Sequence, residues 1–390
     1  MREGWTNEAL ENVCYEITDG SHFSPKTQDS GYPYITVRDI DKDQIDFENC
    51  KFIGKSDFSS LLKNGCKPNK GDILFSKDGT VGKVALVNHE RDFVILSSLA
   101  ILRPDNRLID STFLKYVLKS SRFLNEAVGK KTGVAIRRII LRNLKAIHIP
   151  VPPLLEQKRI VAILDEAFEG IDVALANAEK NLANARELYE RYLNSVLTQK
   201  GEAWLERKLG ECFRLKSGDN LTSKAMNEGA FPVFGGNGIA GMHNEFNLSG
   251  DNVIIGRVGA LCGNARHITE NIWLTDNAFR IVDFDVQFDN AFLTYLLNFK
   301  NLRGLARQSA QPVISNNSLK DLLLNFPESV EEQQCIVAQL DALSSETQRL
   351  EAIYQQKLDG LAELKQAVLQ KAFAGELTAQ PEQLLQEAVA

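Results

Sequence analysis

The chain has 390 residues, 44% of them hydrophobic and 25% charged, with a formal net charge of −6. This length predicts two or three domains, and the apolar share can build real cores, which excludes a chain dominated by disorder. The net acidity argues mildly against a nucleic-acid binder, but the charge is uneven: +4 over residues 1–152, −3 over 153–203, 0 over 204–327 and −7 over 328–390.

The opening run MREGWTNEALENV has no signal-peptide core, and no apolar run reaches membrane-spanning length, so a soluble, cytoplasmic protein without a membrane partner is expected. The first 152 residues read as mixed α and β. YPYITV, GDILFS and GKVALV are strand-like runs between turn residues, and one helix is expected to carry FLKYVLKSSRFLNEAV (113–128). From Arg103 to Lys145 there are eleven basic and three acidic residues. Such a stretch suits a surface facing phosphates, where Lys and Arg displace condensed counterions; the plainer reading is a solvated face.

Pro152-Pro153 then opens a long helix. Its apolar residues step by three and four through Val161, Leu164, Phe168, Ile171, Leu175, Ala178, Leu182, Ala185, Tyr189, Tyr192 and Val196. That is a coiled-coil seam, and residues 154–199 would form a rod of roughly 70 Å, closed by Gly201. Residues 204–327 return to mixed α and β, with strands at NVIIG and NAFRIV and one helix carrying FLTYLLNFKNLRGLA. Lys300, Arg303, Arg307 and Lys320 follow without an intervening acid. A second rod reads Ile336, Leu340, Leu343, Thr347, Leu350, Tyr354, Lys357, Leu361, Leu364 and Val368, ending near Gly375. The two rods are expected to pair with each other, antiparallel; the alternative is that each packs on its own domain or on a partner subunit.

The chain repeats itself. Trp5 and Leu10 answer to Trp204 and Leu209, KGDILFS (70–76) to SGDNVII (249–255), and FLKYVL (113–118) to FLTYLL (292–297). NLKAIHIPVP (143–152) answers to SLKDLLLNFP (318–327), and EQKRIVAILD (156–165) to EQQCIVAQLD (332–341). The offset falls from 199 to 179, so the second copy lacks about 20 residues ahead of its Gly-Asp strand. The expected class is α+β: two tandem mixed α/β domains separated by two long helices in an antiparallel coiled coil, related by a pseudo-twofold. The segments are residues 1–152 (globular), 153–200 (helix), 201–327 (globular), 328–375 (helix) and a 376–390 tail.

Candidate DNA-reading side chains are those with paired donors and acceptors on loops, since Arg reads guanine and Asn or Gln reads adenine. The first copy offers His22, Arg38, Lys77, Lys83, Arg137 and Arg138, with Lys130 and Lys131 as phosphate contacts. The second offers Asn237, Arg257, Asn264, Arg266, Arg303, Arg307, Gln308, Gln311, Asn316 and Asn317. An Asn on a loop is also an ordinary turn former.

Motifs of chemistry are thin. GNGIAG (236–241) matches G-x-G-x-x-G but is followed by a polar, turn-rich run where a dinucleotide site needs a helix. SKDGTVGKV (76–84) lacks P-loop spacing, and the six cysteines form no CxxC. Reduced thiols, no metal site and no catalytic residues are therefore expected.

ITDGSHFSPKTQDSGYPYITVRDI, FPVFGGNGIAG, IPVPPLLEQKRIVAILDEAF, EEQQCIVAQLDAL, ANAEKNLANARELYERYLNSVL and LKQAVLQKAFAGEL together resemble the specificity subunit of type I restriction–modification systems, over nearly the whole chain. The resemblance implies that each globular half is a target recognition domain for one half of a bipartite duplex DNA sequence. It implies that the helices set the spacing and dock two methylation subunits, which a restriction subunit joins. S-adenosylmethionine, ATP and Mg would then sit on those partners and no cofactor on this chain. Two rivals stay open: a stand-alone methyltransferase or nuclease, and a coiled-coil scaffold that binds only proteins.

Overall fold

The structure, a computed structural model, describes residues 2–129, 138–199, 203–306 and 312–379. The chain divides into two compact units, 1–178 with 356–390, and 179–355. Two helices, Leu154–Leu197 and Val330–Ala374, each give one half to each unit.

In the first unit, strand Thr6–Ala9 pairs antiparallel with His148–Val151 and brings the start of the chain beside the start of the first long helix. The main sheet has the antiparallel order Cys14–Asp19, Leu99–Pro104, Ile73–Ser76, Val84–Leu86. A smaller sheet runs Val94–Ile95, Tyr32–Ile35, Lys51–Ile53, Thr27–Gln28, its first pair parallel. Alternation along the strands gives the main sheet two apolar faces. Ile73, Phe75, Ala100 and Leu102 join the core shared with the long helices, while Leu74, Ala85, Leu99 and Ile101 pack with Ile35, Ile40 and Ile95.

The second unit repeats this plan. Its main sheet runs Arg214–Ser217, Ala278–Val282, Asn252–Gly256, Ala265–Ile268 in the same antiparallel order. Strand Trp204–Lys208 pairs with Leu323–Pro327, and Phe231–Gly235 lies parallel to Trp273–Leu274 as Tyr32–Ile35 lies parallel to Val94–Ile95. The missing 20 residues are now located. Where the first unit has the hairpin Ile40–Ile45, the strand Lys51–Ile53 and the helix Lys55–Lys63, the second has only the strand Gly238–His243.

The repeated phrase at the head of each long helix has a structural reason. Gln157, fully buried, donates through Nε2 to the carbonyls of Pro152 (2.8 Å) and Leu108 (3.0 Å) and accepts at Oε1 from Asp110 N (2.7 Å). Gln333 makes the same three bonds with Pro327, Gln287 and Asp289. Asp110 and Asp289 are N-caps, accepting from Phe113 N and Phe292 N. Each glutamine thus ties a strand end and a helix start to the rod, satisfying backbone groups that burial would otherwise orphan.

The long helices lie antiparallel within each unit. In the first, Ile160, Leu164, Phe168 and Ile171 share a core with Leu369, Ala372 and Phe373, and Lys365 pairs with Asp172. In the second, Arg186 Nε donates to Glu351 Oε1 (2.7 Å), Tyr192 to Gln339 (2.6 Å), and Val196 and Leu197 pack with Ile336 and Leu340. In the first helix Leu164, Phe168 and Ile171 are buried and Val161, Leu175, Leu182, Tyr189 and Tyr192 half-buried. In the second helix Leu340 is buried and Leu343, Leu350, Tyr354, Leu361 and Val368 half-buried, but Leu364 is 47% exposed and Lys357 is exposed. Beyond Tyr354 the half-buried positions of this helix are Leu358, Leu361, Lys365 and Val368. Two consecutive steps of four, 350 to 354 to 358, move the seam off the heptad and leave Leu364 outside it. Gly375 ends this helix at φ +84°, with Glu376 N reaching Lys371 O (3.0 Å), a left-handed cap.

The helices after the main sheets differ from the single helix expected. Ser111–Lys119 and Ser121–Val128 are separate, broken at Ser120, which is extended and caps the second by accepting from Phe123 N. In the other copy Asn290–Phe299 stops and a 3-10 turn, Leu302–Leu305, follows Asn301 at φ +49°.

Candidate nucleic-acid interface

In both units a basic residue directly follows the strand that the Gly-Asp pair introduces, Ile73–Ser76 or Asn252–Gly256, and both residues are held by the same backbone bonds. Lys77 N donates to Ser98 O (3.0 Å), and its carbonyl accepts from Ile139 N (2.7 Å). Arg257 N donates to Asn277 O and its carbonyl accepts from Ile314 N, both at 2.9 Å. Their side chains turn inward. The Lys77 ammonium, 3% exposed, lies 3.2 Å from Asp19 Oδ1. Arg257 Nη1 reaches Ser217 Oγ (3.5 Å) and the Asp276 carbonyl (3.4 Å), while its guanidinium sits 5.3 Å from the Phe279 ring centroid. Both residues were expected to face DNA; each instead pins the end of a strand, Lys77 fully buried and Arg257 half-buried.

Beside them the chain makes a tight approach. Gly20 N donates to Leu99 O and Gly218 N to Ala278 O. A Cβ at Gly20 would meet Leu96 O at 2.4 Å, and one at Gly218 would meet Leu274 O at 2.1 Å. Turns with Gly79 and Gly259 at φ +73° and +92° follow the basic residue, and against each turn leans the loop that leaves the parallel strand. That loop carries Arg38 in the first unit and Asn237 in the second, at matching positions after Tyr32–Ile35 and Phe231–Gly235.

In the first unit this arrangement opens a cleft lined by Thr36, Arg38, Asp39, Asp46, Asn49, Lys51, Asp78 and Ser98. Arg38 is exposed and has no side-chain bond among the described residues. Asp39 is held by Thr36 N and Oγ1 (2.7 and 2.8 Å). His22 is exposed, 3.3 Å from Asp19 Oδ2. Arg138 bridges to Asp78, whose carboxylate lies 3.7 Å from its Nε. Lys83 Nζ donates to Ile40 O (2.5 Å), which fastens the inserted hairpin rather than facing solvent. The cleft therefore carries an arginine donor and carboxylate acceptors side by side, the groups that read guanine and cytosine edges. Lys51, Asp78 and Ser98 went unread in the sequence, where no cue placed them next to Arg38.

In the second unit Asn237 is exposed at the hairpin turn, but its Oδ1 accepts from Leu261 N (2.9 Å). The G-x-G-x-x-G run is thus a β-hairpin, with no helix after it. Arg303 Nη1 donates to Ala260 O (2.7 Å) beside this turn. Arg266 lies under Gly238, and its Nη1 is buried without a hydrogen-bond partner among the described residues. Asn264 is exposed and bonds through its main chain only, its carbonyl accepting from Gly256 N. Asn316 Nδ2 donates to Leu215 O (3.2 Å), and Asn317 is exposed nearby. Lys130, Lys131, Arg137, Arg307, Gln308 and Gln311 lie outside the described residues. The six cysteines are free thiols, and the described residues hold no group of three or more His, Cys, Asp or Glu fit for a metal ion. Among the described residues no helix is long and apolar enough to cross a membrane.

Comparison with known proteins places this geometry. The chain is 30% identical to the EcoprrI type I restriction enzyme specificity subunit of Escherichia coli over 77% of this chain and 78% of that one. It is 24% identical to the StySPI specificity subunit of Salmonella potsdam over 97% and 90%. Among solved structures, a chain from a study of assembly and conformational transition of the type I R-M system matches with a TM-score of 0.74 at 19% identity, covering 96% of this chain and 99% of that one. The HsdS subunit of Thermoanaerobacter tengcongensis matches at 0.57 and 20%, covering 96% and 98%. These two likenesses bear on the fold. The model of the type I restriction modification DNA specificity domain matches twice, at residues 2–183 and 201–358, and the chain belongs to that family.

Proposed function

We propose that this chain is the DNA-recognition subunit of a type I restriction–modification complex and performs no chemistry itself. The globular parts, residues 1–152 and 201–327, each read one half of a bipartite duplex target. The helical segments, 153–200 and 328–375, set the distance between the half-sites and dock two methylation subunits, which restriction subunits join. S-adenosylmethionine, ATP and Mg act on those partners, in the cytoplasm.

One observation carries this reading. The same loop, leaning on the same glycine turn, presents Arg38 in one unit and Asn237 in the other. One scaffold with two different polar tips is what two unlike half-sites require. The acidic rods suit protein docking better than phosphate contact.

The test is to express the chain with its methylation partner and map the methylated sites by sequencing. A bipartite, asymmetric target is expected, and removing one heptad from within 171–192 should change the permitted spacing between halves. A folded variant with unaltered spacing would refute the helices as a ruler. A chain that assembles with proteins but shows no salt-dependent affinity for duplex DNA would favour the scaffold reading.

A further inference from the structure

Recurring backbone bonds match the two reading surfaces residue by residue. The carbonyls of Lys77 and Arg257 accept from Ile139 N and Ile314 N. The residues flanking these bonds pair in turn: Asp78 bridges antiparallel to Arg138, and Val258 to Val313. Lys77 N and Arg257 N donate to Ser98 O and Asn277 O, which matches those two residues as well. Arg38 and Asn237 complete the set, on the loop that leans on the glycine turn.

The chemistry changes at every matched place. In the first unit Asp78 and Arg138 form an ion pair, Arg38 is exposed, and Asp46 and Lys51, from the segment that the second unit lacks, add charge to the lining. In the second unit two half-buried valines replace the ion pair, an exposed asparagine replaces Arg38, and exposed Asn277 replaces Ser98. The tip around them is aliphatic. Leu261 is 41% exposed and Ile239 62%, and neither belongs to an apolar core of that unit. Asn237 Oδ1 holds Leu261 N, so amide and aliphatic tip stand side by side, and Asn264 at the end of the same turn has no side-chain bond among the described residues. In the major groove arginine donates to guanine O6 and N7 and a carboxylate accepts from cytosine N4, while an amide meets adenine and an aliphatic group meets the thymine methyl. The reverse assignments are unfavourable. Valine and leucine against cytosine would leave its N4 donor without an acceptor, and Asp78 against thymine would set a carboxylate on the O4 acceptor.

We propose that the first unit reads a G·C pair with Arg38 and Asp78, and that the second reads an A·T pair at the matching place, with Asn237 on the adenine and the thymine methyl against Leu261 and the Val258–Val313 pair. The proposal rests on the DNA-recognition reading above and adds to it the kind of base pair that each half meets here. It is tested by expressing the full chain with its methylation partner, mapping the methylated target, and measuring binding of that complex to target duplexes carrying one analogue at a time. Deoxyuridine in place of a thymine removes only the methyl group, and 7-deazaguanine in place of a guanine removes only the N7 acceptor. One deoxyuridine position should weaken binding about fourfold, the worth of one buried methyl. One 7-deazaguanine position, in the other half of the target, should weaken it roughly tenfold. Leu261→Ala, at an exposed position, should erase the deoxyuridine penalty and keep the 7-deazaguanine one, and Arg38→Ala should do the reverse. A scan of the unaltered complex with no sensitive thymine or no sensitive guanine overturns the proposal while leaving DNA recognition standing. So does a scan with both sensitive positions in one half, and so do penalties that persist in the variants. Absence of any bipartite methylated target sinks the DNA reading itself, and this inference with it.

Discussion

Tyr116 donates its phenolic hydrogen to Asp165 Oδ1, tying the helix Ser111–Lys119 to the first long helix, and Tyr295 repeats the bond with Asp341 in the second copy. Burial, then the hydrogen bond to the carboxylate, pushes both phenols well above the usual tyrosine range. A raised folded-state pKa on a neutral acid contributes stability that is fully present below the unfolded value of about 10 and is lost as pH rises through the folded one. Tyr116→Phe should therefore lower the unfolding free energy at pH 8 by roughly 1.5–3 kcal/mol, the usual worth of a hydrogen bond to a charged group. Above pH 10 the gap between variant and parent should narrow. Urea unfolding at a series of pH values checks this, and a gap constant from pH 8 to 11 would count against the bond.

Gln157 and Gln333 make a second matched pair, and their replacement should be costly for a different reason. Gln157→Ala strips partners from Asp110 N and from the carbonyls of Pro152 and Leu108. A buried polar group left alone costs about 1–3 kcal/mol, so a loss of several kcal/mol is expected, with Gln157→Glu no better because a carboxylate cannot donate to two carbonyls. Denaturant midpoints read this out. A loss under about 0.5 kcal/mol in either variant would mean that water replaces the side chain and that the bonds do not hold the domain to the rod.

How much of this was legible beforehand follows from what each signal depends on. The duplication, the strands and both rods rest on local periodicity and recur in the structure, because 3-4 steps and alternation are set by neighbours in sequence. The second seam failed at Leu364 because two steps of four in succession look like heptads until the partner helix is present. Ser120 breaks a helix that its flanking apolar pattern would have continued. Lys77 and Lys83 were read as candidate DNA contacts, but their placement depends on Asp19 and Ile40, about 58 and 43 positions away. The glutamines stood out as a family phrase, while their three bonds each were evident only once the strand ends were placed.

The glycines separate cleanly into two kinds. At Gly20 and Gly218 an added methyl would overlap the carbonyl oxygens of Leu96 and Leu274, so Gly20→Ala and Gly218→Ala must push the main sheet off its neighbour. A cost of about 1–3 kcal/mol or more is expected from such overpacking. Gly170 and Gly360 sit in the long helices with nothing within 4 Å, and Gly170→Ala and Gly360→Ala should stabilise by roughly 0.5–1 kcal/mol through helix propensity. Thermal melts of the four single variants compare the two kinds directly. Equal effects in both would mean that the close approach at Gly20 and Gly218 is not tight.

Arg38 and Asn237 occupy the same place in the repeat, yet their substitutions should read differently. Arg38 is exposed at the cleft with no side-chain bond among the described residues, so Arg38→Ala removes nothing from the fold. If it reads a base, the variant should keep its melting temperature, lose about 1–3 kcal/mol of discrimination, and relax a single position of one half-site. Asn237 holds Leu261 N with its own Oδ1, so Asn237→Ala should lose about 0.5–1.5 kcal/mol of stability as well as any change in target. Methylation mapping with a melting curve on each variant separates the two outcomes. An Arg38→Ala variant that methylates an unchanged set of sites would move base reading in the first unit away from this loop. Lys51 and Asp78, in the lining of the same cleft, would then be next to test.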